Sequence, residues 1–101
     1  MLEVAGLPGA ELVVAGLRDA NRGAWSVEAL LVAAASARLS ALGLLLPPPE
    51  DLPEAPELAL YEALREDPSV RDAYGRYNAL RRELVSFLNA ADGRARRARV
   101  A

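Results

Sequence analysis

The stretch Val70–Ala91, VRDAYGRYNALRRELVSFLNAA, decides how this chain folds. Val70, Ala73, Tyr77, Leu80, Leu84, Phe87 and Ala91 recur in alternating steps of three and four residues, the a and d positions of a heptad. An α-helix brings positions so spaced onto one face, and a strand does not. Tyr74 and Leu88 widen the stripe. Asp67-Pro68 reads as an N-cap followed by a first-turn proline, and Gly93 as a stop, so a long helix is expected over 68–91. Asp67 with Arg71 and Asp72 with Arg76 are acid-first i,i+4 pairs, each worth about 0.3 kcal/mol on an exposed face. Gly75 lies on the side farthest from the stripe, where glycine costs about 1 kcal/mol relative to alanine. Either another element approaches it closely or the cost is tolerated.

Upstream, the same periodicity repeats less cleanly. Ala10, Val13, Val14, Leu17 and Ala20 predict a first helix over 9–22, closed by Gly23. Residues 1–8 precede it as an extended arm or lead-in. Ser26 is a good N-cap for a second helix over 26–42. Trp25 and Leu30 have the spacing of a hydrophobic staple across its start, and Gly43 ends it. That helix is apolar over most of its surface, which suits a central position or a subunit contact. The Ala33-Ala34-Ala35 run would let a neighbouring helix come close. Residues 44–56, LLLPPPEDLPEAP, hold five of the seven prolines; Pro47–Pro49 should be polyproline II, with Leu44–Leu46 over the core. A third helix follows over 56–66 with Leu58, Leu60, Tyr61 and Leu64 as its apolar set. The expected fold is all-α and four-helix bundle-like. Two helical hairpins are joined by the proline-rich segment, with the long C-terminal helix as scaffold. Residues 1–92 form one domain, and 93–101 a basic, disordered tail.

Composition agrees. The 101 residues include 21 Ala and 18 Leu, few β-branched residues and five aromatics, which favours helix over sheet. Apolar residues make up 52% and charged ones 26%, with a net charge of −2, a globular balance. Rich in Ala, Arg, Gly and Pro and devoid of Lys and Ile, the chain has the composition of a GC-rich bacterial genome. No positive residue precedes Arg18, as a signal peptide would require, and the apolar run 39–49 is too short to span a bilayer. A cytoplasmic protein without a membrane segment is expected.

Cys, His, Lys, Gln, Ile and Thr are all absent. Disulfides, thiolate and imidazole chemistry, Cys/His metal sites, Schiff bases and a Walker lysine are therefore excluded. Ser26, Ser36, Ser40, Ser69 and Ser86 have neither His nor Lys to activate them. No catalytic residue and no cofactor are expected.

Charge is uneven along the chain. Residues 50–67 carry seven acids against Arg65 alone, whereas 93–101 carry four arginines and no acid. Glu54/Glu57 and Glu62/Glu66 have i,i+3 and i,i+4 spacing that could share a Mg²⁺ or Mn²⁺. A carboxylate–metal hydrolase would nonetheless need a second acidic pair on another helix. Helices 1 and 2 offer only scattered Glu11, Asp19 and Glu28, so a solvated acidic face is the simpler reading. Arg94, Arg96, Arg97 and Arg99 could contact phosphates, which makes a nucleic-acid accessory protein the first alternative. An acidic domain with aromatics on the apolar stripe argues against it. The reading best supported is a small non-catalytic protein acting by association, as a homodimer or with another protein. Its interaction stripe would be Val70, Ala73, Tyr77, Leu80, Leu84 and Phe87, unless a monomeric bundle covers that stripe itself.

Overall fold

The computed structural model describes residues 3–100. The heptad stripe from Ala73 onward lies on the last helix, α5 (Ala73–Val100), which is 28 residues long. At about 1.5 Å per residue such a rod spans roughly 42 Å, close to the molecule's longest dimension of 48 Å. Before it come α1 (Ala10–Asn21), α2 (Val27–Ala34), α3 (Ser36–Ala41) and α4 (Pro56–Glu66), with a 3-10 turn at Pro49–Asp51. The described residues are all-helical and contain no strand.

The central element is α2, which packs against α1, α4 and α5. Ala29, Leu30, Leu31, Val32 and Ala33 are consecutive and all buried, as its broadly apolar surface requires. Its start is built as the residue types dictate. Ser26 Oγ accepts from the Ala29 N–H at 3.2 Å and donates to Asp19 Oδ2 at 2.7 Å, so one hydroxyl caps α2 and fastens it to α1. Trp25 and Leu30 both join the core.

Two glycines let helices approach. Gly9, the N-cap of α1, adopts φ +74°, and a Cβ there would lie 2.8 Å from the Glu83 carbonyl oxygen of α5. Gly16, mid-α1, is pressed against the Glu28 carbonyl and Val32 of α2. The close approach therefore uses Gly16 together with α2. The Ala33–Ala35 run instead marks the end of α2.

Three boundaries differ from expectation. The helix expected over 26–42 is divided at Ala35 (φ −111°, ψ 23°) into α2 and α3. Neither Pro nor Gly sits at the break, so tertiary packing sets the bend. Beyond it Leu39 is fully buried, and Arg38 reaches Asp92 of α5 at 2.6 Å. The last helix begins at Ala73 rather than Pro68. Asp67 bonds the N–H and hydroxyl of Ser69 at 2.9 and 2.7 Å and closes a turn through Val70, a local alternative to helix open to short polar side chains. Asp72 is the cap instead, accepting from the Gly75 N–H at 3.0 Å. Neither expected i,i+4 pair forms a salt bridge among the described residues, and a Cβ at Gly75 would meet only the capping carboxylate, the movable end of a side chain.

At its other end α5 does not stop at Gly93, and residues 93–100 are helical rather than a disordered tail. Mid-helix glycine costs about 1 kcal/mol but ends a helix only when it turns left-handed. Here Arg94 holds the continuing turn by donating to the Glu3 and Ala5 carbonyls at 2.9 and 3.2 Å. Residues 5–9 form turns, with Leu7 buried; Met1 and Leu2 of the expected arm lie outside the described residues, as does Ala101 of the tail.

In the connector, Pro48 has polyproline II angles (φ −61°, ψ 154°) before Pro49 opens the 3-10 turn. Leu44 and Leu46 pack on the core, while Leu45 is 74% exposed. Asn21 of α1 donates to the Leu45 carbonyl at 3.0 Å and pins the segment down.

Candidate functional site

The stripe expected to carry association is covered by the chain's own helices. Leu80, Leu84 and Phe87 are buried, and Val70, Ala73 and Tyr77 pack half-buried against the same core. What remains partly open is a cleft at the edge of that stripe, which shares Tyr77 and Leu84 with it.

Between α3, α4 and α5 lies a cleft of about 260 Å³. Its floor is apolar, formed by Leu31, Leu60, Leu84 and Leu88 with Ala34 and Ala35 at the α2–α3 break. The rim is polar, made of Arg38, Glu57, Tyr77 and Arg81. The Tyr77 hydroxyl donates to Glu57 Oε2 at 3.0 Å, its ring meets Tyr61 edge-on at 5.9 Å, and the Arg81 guanidinium lies 5.7 Å over that ring. Burial, and then the adjacent Glu57 carboxylate, raise the Tyr77 hydroxyl above its ordinary pKa. Tyr77 is thus a hydrogen-bonded wall of the cleft as well as a stripe residue.

Val85 forms the lip and is 46% exposed. Beyond it a shallower depression is lined by Asn78, Arg81, Arg82, Val85 and Ser86, with no acid among them. Leu58 and Tyr74, both expected in apolar sets, are instead 58% and 67% exposed. Sequence periodicity could not find this cleft because it arises where α3 bends away from α2. The one local signal was the cluster of small residues at Ala33–Ala37.

The other sequence-derived residues disperse. Glu54 precedes α4, Glu57 is engaged by Tyr77, and Glu62 and Glu66 are exposed. Among the described residues no three carboxylates gather as a metal site would require. Arg94 is engaged by backbone carbonyls, whereas Arg96, Arg97 and Arg99 are exposed along the last turns of α5. No helix among the described residues is long and apolar enough to cross a membrane.

Away from the cleft, Asp19 is held below the ordinary aspartate pKa by the Ser26 hydroxyl and then by Arg22. Asp67 is held low by its bonds from Ser69.

No protein-family model, curated protein or solved structure matches this chain significantly.

Proposed function

We propose that this chain is a small non-catalytic helical protein that acts by association with another protein chain, through the cleft between α3, α4 and α5. Counting α2 and α3 as one bent rod, its helices form a four-rod, bundle-like domain. The observation that carries the reading is the cleft itself, an apolar floor of nearly buried leucines ringed by polar groups with an exposed valine at its lip. Such a surface suits the insertion of one or two apolar side chains, because the floor gives up water while the rim keeps its hydrogen bonds. The non-catalytic part rests on the inventory, which lacks every common proton-transfer or nucleophilic group except carboxylate, hydroxyl and phenol.

A photo-crosslinking amino acid at position 85 tests the reading in the expressing cell. The expected result is a discrete adduct that disappears when Ala37, a cleft-lining residue, becomes Trp. Equal capture by a probe at Glu11, in α1 on a different surface, would refute it.

A second reading has its own support in the exposed, helical Arg96, Arg97 and Arg99. Three guanidiniums projecting from one rod end could bind phosphates with steep salt dependence. Ending the chain at Asn89 would also remove Asp92 and Arg94, so the test is triple substitution of those arginines by Ala. Loss of DNA or RNA binding at low salt supports this reading, and absence of binding by the intact chain removes it.

A further inference from the structure

The solvent-facing side of α5 is cationic from Arg81 to Arg99. At about 100° per residue, Arg81, Arg82, Arg96 and Arg99 all fall within roughly 60° of Val85 around the helix, and all five residues are exposed. The opposite side of the rod carries Glu83 and Arg94 and faces the N-terminal segment. There Gly9 lies against the Glu83 carbonyl, and Arg94 donates to the Glu3 and Ala5 carbonyls. Arg81 and Arg82 together line the acid-free depression beyond Val85. No ion pair engages any of the four arginines among the described residues. Resting on the second reading above rather than on the cleft, we infer that this side of α5 is a rail for the phosphate backbone of a nucleic-acid duplex, with Arg81, Arg82, Arg96 and Arg99 as its phosphate contacts.

The acidic balance of the whole chain does not oppose this, because charge is segregated onto one rod. Residues 73–100 carry seven arginines against two acids, and residues 1–72 carry five against twelve. A basic stripe along one helix is the electrostatic footprint that phosphate binding needs. Of the two acids of α5, Glu83 is on the far side and Asp92 is neutralised by Arg38 at 2.6 Å. Glu57 of α4, which lines the cleft with Arg81, is engaged by the Tyr77 hydroxyl. Between Arg82 and Arg96 the helix rises about 21 Å. A duplex carries one charge per about 1.7 Å of its axis, so a stiff polyanion meets both arginine pairs at once, whereas a small anion meets one. Beyond the cleft lip at Val85, the one exposed large apolar side chain on this side among the described residues is Tyr74. That is too little for the apolar centre of a protein interface or for insertion into a bilayer. Single strands are held by bases stacking on successive aromatics, and Tyr74 stands alone.

Fluorescence anisotropy of a labelled, mixed-sequence DNA duplex titrated with the full chain at several salt concentrations tests the inference. Unlabelled single-stranded DNA and phosphatidylserine vesicles serve as competitors, and circular dichroism checks that each variant remains helical. Four phosphate contacts imply that log K falls against log salt with a slope of about −3.6. Arg81→Ala with Arg82→Ala, and separately Arg96→Ala with Arg99→Ala, should each weaken duplex binding at least about tenfold at low salt and flatten the slope by about two. Arg18→Ala with Arg71→Ala removes the same charge from exposed positions off the rail and should change affinity by less than about threefold. An intact chain that leaves the duplex free overturns both the inference and the second reading. Binding that needs Arg96, Arg97 and Arg99 but is indifferent to the loss of Arg81 and Arg82 overturns the inference and leaves that reading standing. Displacement of the duplex by less than its own phosphate concentration of single strand or vesicle, or an Arg18/Arg71 variant as weak as the rail variants, overturns it too.

Discussion

Gly16 of α1 sits directly beneath the Glu28 carbonyl of α2. A Cβ on Gly16 would lie 2.8 Å from the Glu28 carbonyl carbon and 2.8 Å from Val32 Cγ1. The Val32 side chain is fully buried, so neither neighbour can move without displacing the central helix. Gly16→Ala gains about 1 kcal/mol of helix propensity, but overpacking a fixed backbone contact costs about 1–3 kcal/mol. A net loss of stability is expected, read as a lower urea midpoint with unchanged slope.

Gly93→Ala should do the opposite. Its Cβ would meet only the Arg97 guanidinium, at 3.4 Å, the movable end of a long side chain. The substitution removes glycine's backbone freedom at a site already helical and should stabilise by up to about 1 kcal/mol. Thermal unfolding of both variants side by side checks the pair.

Phe87 has no exposed surface and faces Gly9 across the α1–α5 approach. Phe87→Ala is expected to cost about 3–5 kcal/mol, a large share of the roughly 5–15 kcal/mol that keeps a domain folded. Denaturant unfolding should show a sharply lowered midpoint, and a shift of only a few tenths would mean that the site lies outside the core.

Ser26→Ala removes both the α2 cap and the hydroxyl donor to Asp19. The lost cap should cost about 1 kcal/mol at neutral pH. Because Asp19 is depressed in the folded state, the stability it contributes is present above the ordinary aspartate range and lost as pH falls through its folded value. The stability difference between wild type and Ser26→Ala should therefore narrow in acid. Chemical denaturation at neutral pH and below about pH 3, under the ordinary aspartate value, measures this, and a constant gap would contradict the Asp19 linkage.

Tyr77 is raised in the folded state by burial and by Glu57. Its stabilising contribution is complete below the ordinary tyrosine pKa of about 10 and is lost as pH rises through the folded value. Ultraviolet titration should show a phenol ionising late, absent from Tyr77→Phe. If that variant titrates identically to wild type, the Tyr77–Glu57 bond does not persist in solution.

Much of the architecture was legible in the residues themselves. The three–four spacing of Leu80, Leu84 and Phe87, the cap at Ser26 and the proline that opens α4 are local features, and local hydrogen bonding and burial periodicity act the same way in any fold. The ends of α5 were less legible. Whether Asp67 or Asp72 caps the helix depends on which carboxylate the turn leaves free, and whether Gly93 ends it depends on Arg94 finding carbonyls about ninety residues away in the chain (residues 3 and 5). The cleft left only the cluster of small residues at Ala33–Ala37 as a local trace, and Leu58 and Tyr74 looked like core residues.

Periodicity by itself therefore determined that this chain is helical and which face of its longest helix is greasy, because both follow from the pitch of one rod. Tertiary structure alone decided where the α2–α3 rod bends, which leucines stay wet and where a cleft is left between helices. Those outcomes depend on how several rods crowd one another, and no single helix encodes its neighbours' positions.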